Sequence, residues 1–187
     1  MTQNPETLLT EEEYLAIERR AEFRSEFHAG EMFAMTGASR KHNRIVSNLV
    51  ITLGNQLRER PCNVYSSDLR VKIPATGLYT YPDVIVTCGE EEFADEEFDI
   101  LLNPGVIVEV LSDSTEAYDR GKKFEHYQSV ESLLAYVLVS QSAARVEKYV
   151  KQGGGAWLYT EAHEDEAVVG IEEIRCDLKL EDVYAKV

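Results

Sequence analysis

Positive charge is what this chain has little of. Its 187 residues hold 34 Asp and Glu against 19 Lys and Arg, a net charge of −15. Phosphate contacts need Lys and Arg, so this balance argues against a broad, non-specific nucleic-acid surface, while a local basic groove stays open. Taken alone, the charge reads as a solubility device. Cysteine is scarce too. Cys62, Cys88 and Cys176 are odd in number and lack metal-ligand spacing, so they read as reduced thiols of a cytoplasmic protein. No apolar run approaches the roughly 18 residues of a membrane span. Residues 1–13 have neither the basic nor the apolar segment of a signal peptide. A cytoplasmic protein without membrane contact is therefore expected. Familiar catalytic signatures are missing as well. There is no Gly-x-Ser-x-Gly elbow. Gly37-Ala38-Ser39-Arg40-Lys41 lacks the second glycine of a Walker loop. His28, His126 and His163 are too scattered for a zinc site.

What is present suits one globular domain spanning residues 1–187, with 44% hydrophobic and 28% charged residues. A chain of this length buries roughly 70% of its unfolded surface, enough for a core without staples. Thr10-Glu11-Glu12-Glu13 is a capping box that opens a helix over about 11–20. A hairpin turning near Ala29-Gly30 follows, then a longer helix over roughly 41–60 with Ile45, Leu49 and Leu53 at helical spacing, stopped by Pro61. Strands are expected at 63–66, 69–73 and 81–87, the last with Pro82 near its start, where a missing N–H matters least. Residues 89–104 carry a run of carboxylates and read as a solvated loop. Strands at 133–140 and 145–151 follow a helix over about 118–128. A return strand at 156–160, another at 168–174 and a helical turn at 180–184 complete the chain. Mixed strands with interleaved helices indicate an α/β or α+β sheet domain.

The residue that stands out is Glu109. It sits in Val106-Ile107-Val108-Glu109-Val110-Leu111, a run that reads as a strand buried on both faces. An unpaired buried carboxylate is very costly, so Glu109 must be neutralised, paired or bound to a cation. Asp83 lies beside a second aliphatic run, Val84-Ile85-Val86. If the strands are neighbours the two acids converge and repel unless a cation lies between them. Mg²⁺ suits such oxygen ligands and can activate water for phosphodiester attack. Alternatively, Asp83 caps a turn after Pro82 and Glu109 pairs with a basic side chain. A candidate for that side chain is Lys123, because Asp119, Lys123 and Tyr127 recur every four residues and line one helical face.

Three stretches together resemble a known family: Tyr81-Pro82-Asp83, the segment from Ile107 to Thr115, and Asp119-Arg120-Gly121-Lys122-Lys123-Phe124-Glu125-His126-Tyr127. The likeness extends to Glu13-Tyr14-Leu15, Ala29-Gly30-Glu31 and Leu134-Ala135-Tyr136-Val137-Leu138-Val139, and so covers nearly the whole chain. The family is the restriction endonuclease family called Uma-two, of the PD-(D/E)XK nuclease superfamily. The resemblance implies a restriction-endonuclease-like fold, a central mixed β-sheet flanked by helices. It implies a Mg²⁺-dependent endonuclease, with Mn²⁺ able to substitute, that hydrolyses DNA phosphodiester bonds with metal-activated water. Asp83, Glu109 and the backbone carbonyl of Val110 would hold the metal. The superfamily expects a lysine two residues after the acid, and this chain has Leu111 there. Lys123 is the natural substitute, with Lys122 as runner-up. Glu31, His42, Asp68 and Asp119 are further candidates near the site. By analogy with two-strand cleavage, a homodimer is expected. The rival reading, favoured by Leu111 and the acidic balance, is a catalytically inactive nuclease fold kept as a binding or assembly module.

Overall fold

The computed structural model describes residues 8–35, 37–163 and 167–187. Residues 1–7, part of the segment read for a leader, lie outside it. Helix α1 (Glu11–Glu18) begins with the expected capping box: the Glu13 N–H donates to Thr10 Oγ1 at 3.2 Å, and the Thr10 N–H donates to Glu13 Oε2 at 2.8 Å. The hairpin β1 (Ser25–His28) and β2 (Glu31–Ala34) turns on Ala29 and Gly30, whose φ angles are +52° and +90°. Two successive positive φ values match the right-handed twist of paired strands. A Cβ on Gly30 would approach Leu8 Cβ to 2.7 Å, so glycine serves both the turn and the packing there.

Helix α2 (Arg40–Leu57) is capped by Ser39, whose Oγ accepts from the His42 N–H at 3.0 Å. Ile45, Leu49, Leu53 and Leu57 recur every four residues and are all buried. After Pro61 come β3 (Cys62–Ser66), β4 (Arg70–Ile73), β5 (Leu78–Thr80), β6 (Val84–Cys88), β7 (Ile100–Leu101) and β8 (Val106–Leu111). A broken helical segment follows, formed by α3 (Glu116–Tyr118), a π-helical turn (Asp119–Lys123) and α4 (Phe124–Tyr127). The chain closes with β9 (Ala135–Ser140), β10 (Arg145–Lys151), β11 (Trp157–His163), β12 (Val168–Ile171), β13 (Cys176–Lys179) and α5 (Leu180–Val183).

The α+β fold with a central mixed sheet is present. Six strands run in the order β11-β10-β9-β8-β6-β3, parallel only between β8 and β9. Strand alternation sends Val106, Val108 and Val110 to the face covered by α2, α5 and the β12–β13 hairpin, and Ile107 and Leu111 to the other. That other face is covered by more than helices. Phe124 and Tyr127 pack there with Val71, Ile73 and Leu78 of a second sheet, ordered β2-β1-β5-β4-β7.

The second sheet explains the main departure from the sequence reading. The sequence pattern predicts one strand over residues 81–87. Instead β5 ends at Thr80 in the second sheet and β6 begins at Val84 in the first. Tyr81-Pro82-Asp83 is the crossing between them, where the missing Pro82 N–H breaks no ladder. Within 89–104, Ile100 and Leu101 pair in parallel with β4, so the expected loop contributes an edge strand. The strand expected to reach residue 174 stops at Ile171, and Cys176–Lys179 returns beside it. The expectation of three reduced thiols is also corrected. Antiparallel pairing sets Cys62 opposite Cys88, and the two are joined in a disulfide; Cys176 is free and buried. Strand partners this far apart in sequence leave no local signal, and the thiol argument for a reducing compartment falls away. No helix among the described residues is long and apolar enough to cross a membrane.

Leu49 lies at the centre of the α2 stripe, fully buried against the sheet. The expected cost of Leu49→Ala is about 2–5 kcal/mol of unfolding free energy, read from urea denaturation. A loss below about 1 kcal/mol would show that α2 is not the lid of this core.

Candidate active site

The crossing at Asp83 and the strand β8 bring two carboxylates together. Asp83 Oδ2 accepts a hydrogen bond from the Val110 N–H at 2.8 Å, and Glu109 Oε2 lies 3.4 Å from the Asp83 N–H. Glu109 thus reaches the Asp83 backbone, and Asp83 reaches the backbone of the residue that follows Glu109. Asp83 takes the place a strand neighbour would hold beyond the start of β6. The N–H and C=O of one strand residue point to the same edge, so the Val110 carbonyl also faces the Asp83 side. His42, two residues into α2, sets Nε2 3.1 Å from Asp83 Oδ2. Its Nδ1 is buried without a partner among the described residues.

Glu109 is 4% exposed, so the energetic question raised by the sequence is real. Its Oε1 accepts from the Tyr127 hydroxyl at 2.9 Å and from Lys123 Nζ at 2.8 Å. The same ammonium lies 3.2 Å from Glu26 Oε1 and 3.6 Å from Asp119 Oδ1. Asp119, Lys123 and Tyr127 share one face, as their four-residue spacing predicts, and the fold buries all three, although the backbone from Asp119 to Lys123 is π-helical. π turns are rare and often mark functional sites. The Tyr136 hydroxyl steadies this one by donating to the Asp119 carbonyl at 3.0 Å.

These neighbours shift one another's proton affinities. Burial pushes Glu109 up to about 8, against the pull of Lys123, while Asp119 and Asp83 push the same way as burial. Burial likewise raises Asp119 from its ordinary value, again opposed by Lys123. Burial works against a charged Lys123, yet Glu109, Tyr127, Glu26 and Asp119 together hold it well above its usual value. For His42, burial is outweighed by the hydrogen bond and charge of Asp83, and the imidazole is raised.

Of the sequence candidates, the fold gathers Asp83, Glu109, Lys123, His42 and Asp119 at one place. It does not gather the other three. Lys122 points to solvent and pairs with Glu125 at 2.8 Å. Glu31 is exposed at the start of β2, opposite His28. Asp68 is 82% exposed, beside Arg24 at 3.5 Å. Glu26 went unnoticed in the sequence. It lies in a short strand with no aliphatic run to make a carboxylate conspicuous, and it reaches the site only because β1 pairs with β5. The Thr80 hydroxyl, at the end of β5, hydrogen-bonds the Glu26 oxygen that faces Lys123.

Among the described residues no cluster of three or more His, Cys, Asp and Glu is arranged to hold a metal ion. The donors at hand are two carboxylates and the Val110 carbonyl. That set is too small and too hard for a structural zinc site. It fits Mg²⁺, which takes one or two protein carboxylates and keeps several waters.

Comparison with known proteins gives the same fold. The profile of a family called Uma2, described as "Putative restriction endonuclease", matches residues 11–181. Two proteins of Synechocystis sp. (strain ATCC 27184 / PCC 6803 / Kazusa), both named only as uncharacterized, are similar to it. Sll1609 is 40% identical over 154 residues, which is 82% of this chain and 87% of that protein. Slr1290 is 40% identical over 150 residues, 80% of this chain and 78% of that protein. Among solved structures, the crystal structure of "a putative nuclease belonging to DUF820" from Anabaena variabilis ATCC 29413 superimposes with a TM-score of 0.76. At 20% identity, over 93% of this chain and 96% of the other, it shows a shared fold.

Lys123 compensates the buried carboxylates, and removing one partner of a buried ion pair costs about 3–5 kcal/mol. That loss is expected for Lys123→Met, measured by urea denaturation in EDTA. The Glu109 carboxyl is raised in the folded state, so its contribution to stability is fully present below its unfolded value and fades as pH rises to about 8. Without Lys123 the carboxyl rises further. The variant should therefore lose more stability at pH 8 than at pH 5. An equal loss at both would mean that Lys123 does not face an ionising Glu109.

Proposed function

Since this chain belongs to the Uma2 family, we propose that it is a metal-dependent endonuclease that hydrolyses DNA phosphodiester bonds. The observation that carries the reading is the interlocked pair Asp83–Glu109 with the Lys123 ammonium 2.8 Å from Glu109. Asp83, Glu109 and the Val110 carbonyl would hold Mg²⁺, with Mn²⁺ as a substitute. A divalent ion there supplies Lewis acidity toward water and the phosphoryl oxygens. Lys123 stabilises negative charge that builds on the phosphoryl group, from a site where burial strengthens its field. Tyr127 and Lys123 hold one oxygen of Glu109 in place. His42 and the Val110 N–H do the same for Asp83. Breaking both strands of a duplex calls for two such sites, so we propose that a homodimer acts on DNA.

One observation favours a second reading, a catalytically inactive nuclease fold that binds or assembles. Leu111, where the superfamily has lysine, is 4% exposed and packed among Ile107, Leu138 and Phe124. No charge comes from that position. The nuclease reading depends on Lys123 doing its work from the helix instead.

Nicking of supercoiled plasmid in Mg²⁺ or Mn²⁺ tests the assignment. Wild type should nick, EDTA should stop it, and Asp83→Asn and Glu109→Gln should each slow it by about a hundredfold or more, the usual loss for a group that stabilises the transition state. Equal nicking by all three proteins would remove the site. Mn²⁺ calorimetry with no saturable heat, together with no nicking by wild type, would favour the inactive module.

A further inference from the structure

Helix α2 has no Asp or Glu among its 18 residues, in a chain where 34 of 187 residues are acidic. Its cations, Arg40, Lys41 and Arg44, all lie near its start and are all exposed. Among the described residues, none of the three enters an ion pair. Other cations, Arg19, Arg70, Lys72, Arg120, Arg145 and Lys148, each face a carboxylate within 4.0 Å; Arg175, Lys179 and Lys186 are also exposed without an ion pair among the described residues, but they do not cluster within five residues of one helix. Helical spacing puts Arg40 and Arg44 on one outer stripe, with exposed Ser47 and Ile51 beyond them, opposite the buried Ile45, Leu49 and Leu53. Within the same turn His42 points inward to Asp83 at 3.1 Å. These cations thus open the helix whose third residue reaches Asp83, with Arg40 and Arg44 on its outer side.

We propose that Arg40, Lys41 and Arg44 form the docking strip for the sugar-phosphate backbone of duplex DNA beside the Asp83–Glu109 site. The inference rests on the nuclease reading and adds the surface that admits the substrate. Three carboxylates, Glu109, Glu26 and Asp119, converge around a single lysine, with Asp83 beside Glu109, and the whole molecule carries a charge of −15. A polyanion approaching such a site is repelled unless cations meet it at the edge. Cations free of carboxylates can exchange their counterions for phosphates without first breaking an ion pair. Contacts of this kind read no base sequence. They fix register and orientation, which places a phosphodiester over the acids.

The test is fluorescence anisotropy of a labelled DNA duplex, without divalent metal, at a series of NaCl concentrations. The triple variant Arg40→Gln, Lys41→Gln, Arg44→Gln is compared with wild type. A control of equal charge change carries Arg175→Gln, Lys179→Gln and Lys186→Gln, three exposed cations that also lack ion pairs among the described residues and belong to segments bonded to the middle and far end of α2 rather than to its start. Each lost phosphate contact lowers the slope of log affinity against log salt by about 0.9, so the strip variant should lose about 2.7 units of slope. The control should keep the wild-type slope, and thermal midpoints should agree within a few degrees. An unchanged slope in the strip variant, an equal loss in the control, or no duplex binding by wild type overturns the strip. Duplex binding with the expected slopes but no plasmid nicking would instead overturn the nuclease reading and leave the strip standing.

Discussion

The Lys123 ammonium is the contact on which the arrangement depends. It touches Glu109 of the six-stranded sheet, Glu26 of the five-stranded sheet and Asp119 of its own turn. Without a cation there, three carboxylates would be left in a space from which water is largely excluded, and would take up protons or cost the fold several kcal/mol. The ammonium therefore compensates charge and also ties the two sheets together across the site. Its own burial is tolerable because several acids surround it, which is why it stays charged well above the usual lysine range.

Much of this was legible from local pattern. Glu109 announced itself as an acid inside an aliphatic run, and the spacing of Asp119, Lys123 and Tyr127 put all three on one face. Asp83 was legible as a partner but not as a hinge. The chain changes sheets at Tyr81-Pro82-Asp83, and a run of strand-like residues says nothing about which sheet each belongs to. Glu26 and the Cys62–Cys88 pair were illegible for the same physical reason. Strand pairing is non-local, so residues with unremarkable neighbours in sequence meet only once β1 lies on β5 and β3 lies on β6. The three candidates that fall outside the site, Glu31, Asp68 and Lys122, neighbour turns or motif residues in sequence, and proximity of that kind does not fix the direction of a side chain.

The charge balance reads differently once the fold is known. A value of −15 for the whole chain describes an average, and averages are poor guides to a surface. Acidic residues concentrate in segments such as 90–99, where Asp95 and Asp99 hold Arg19. Helix α2 is free of them. An excess of one sign argues against broad contact with a like-charged polymer and says little about a narrow one.

Position 111 bears on where a cation can reach Glu109. A lysine on β8 two residues past Glu109 would leave the strand on the face that holds Ile107, Phe124 and Tyr136, and would interrupt that packing. Leucine there completes the core instead. The ammonium arrives from the helical segment, and the wider π-helical turn sets where along that segment Lys123 meets the sheet. The Tyr136 hydroxyl on the Asp119 carbonyl and the stacked rings of Phe124 and Tyr136 fix that turn against β9. The trade exchanges a short tether on a rigid strand for a longer one, and it demands rigidity elsewhere. The aromatic packing under the turn supplies it, so in this fold the precision of the Lys123–Glu109 contact is set by the apolar face of the sheet as much as by the charges themselves.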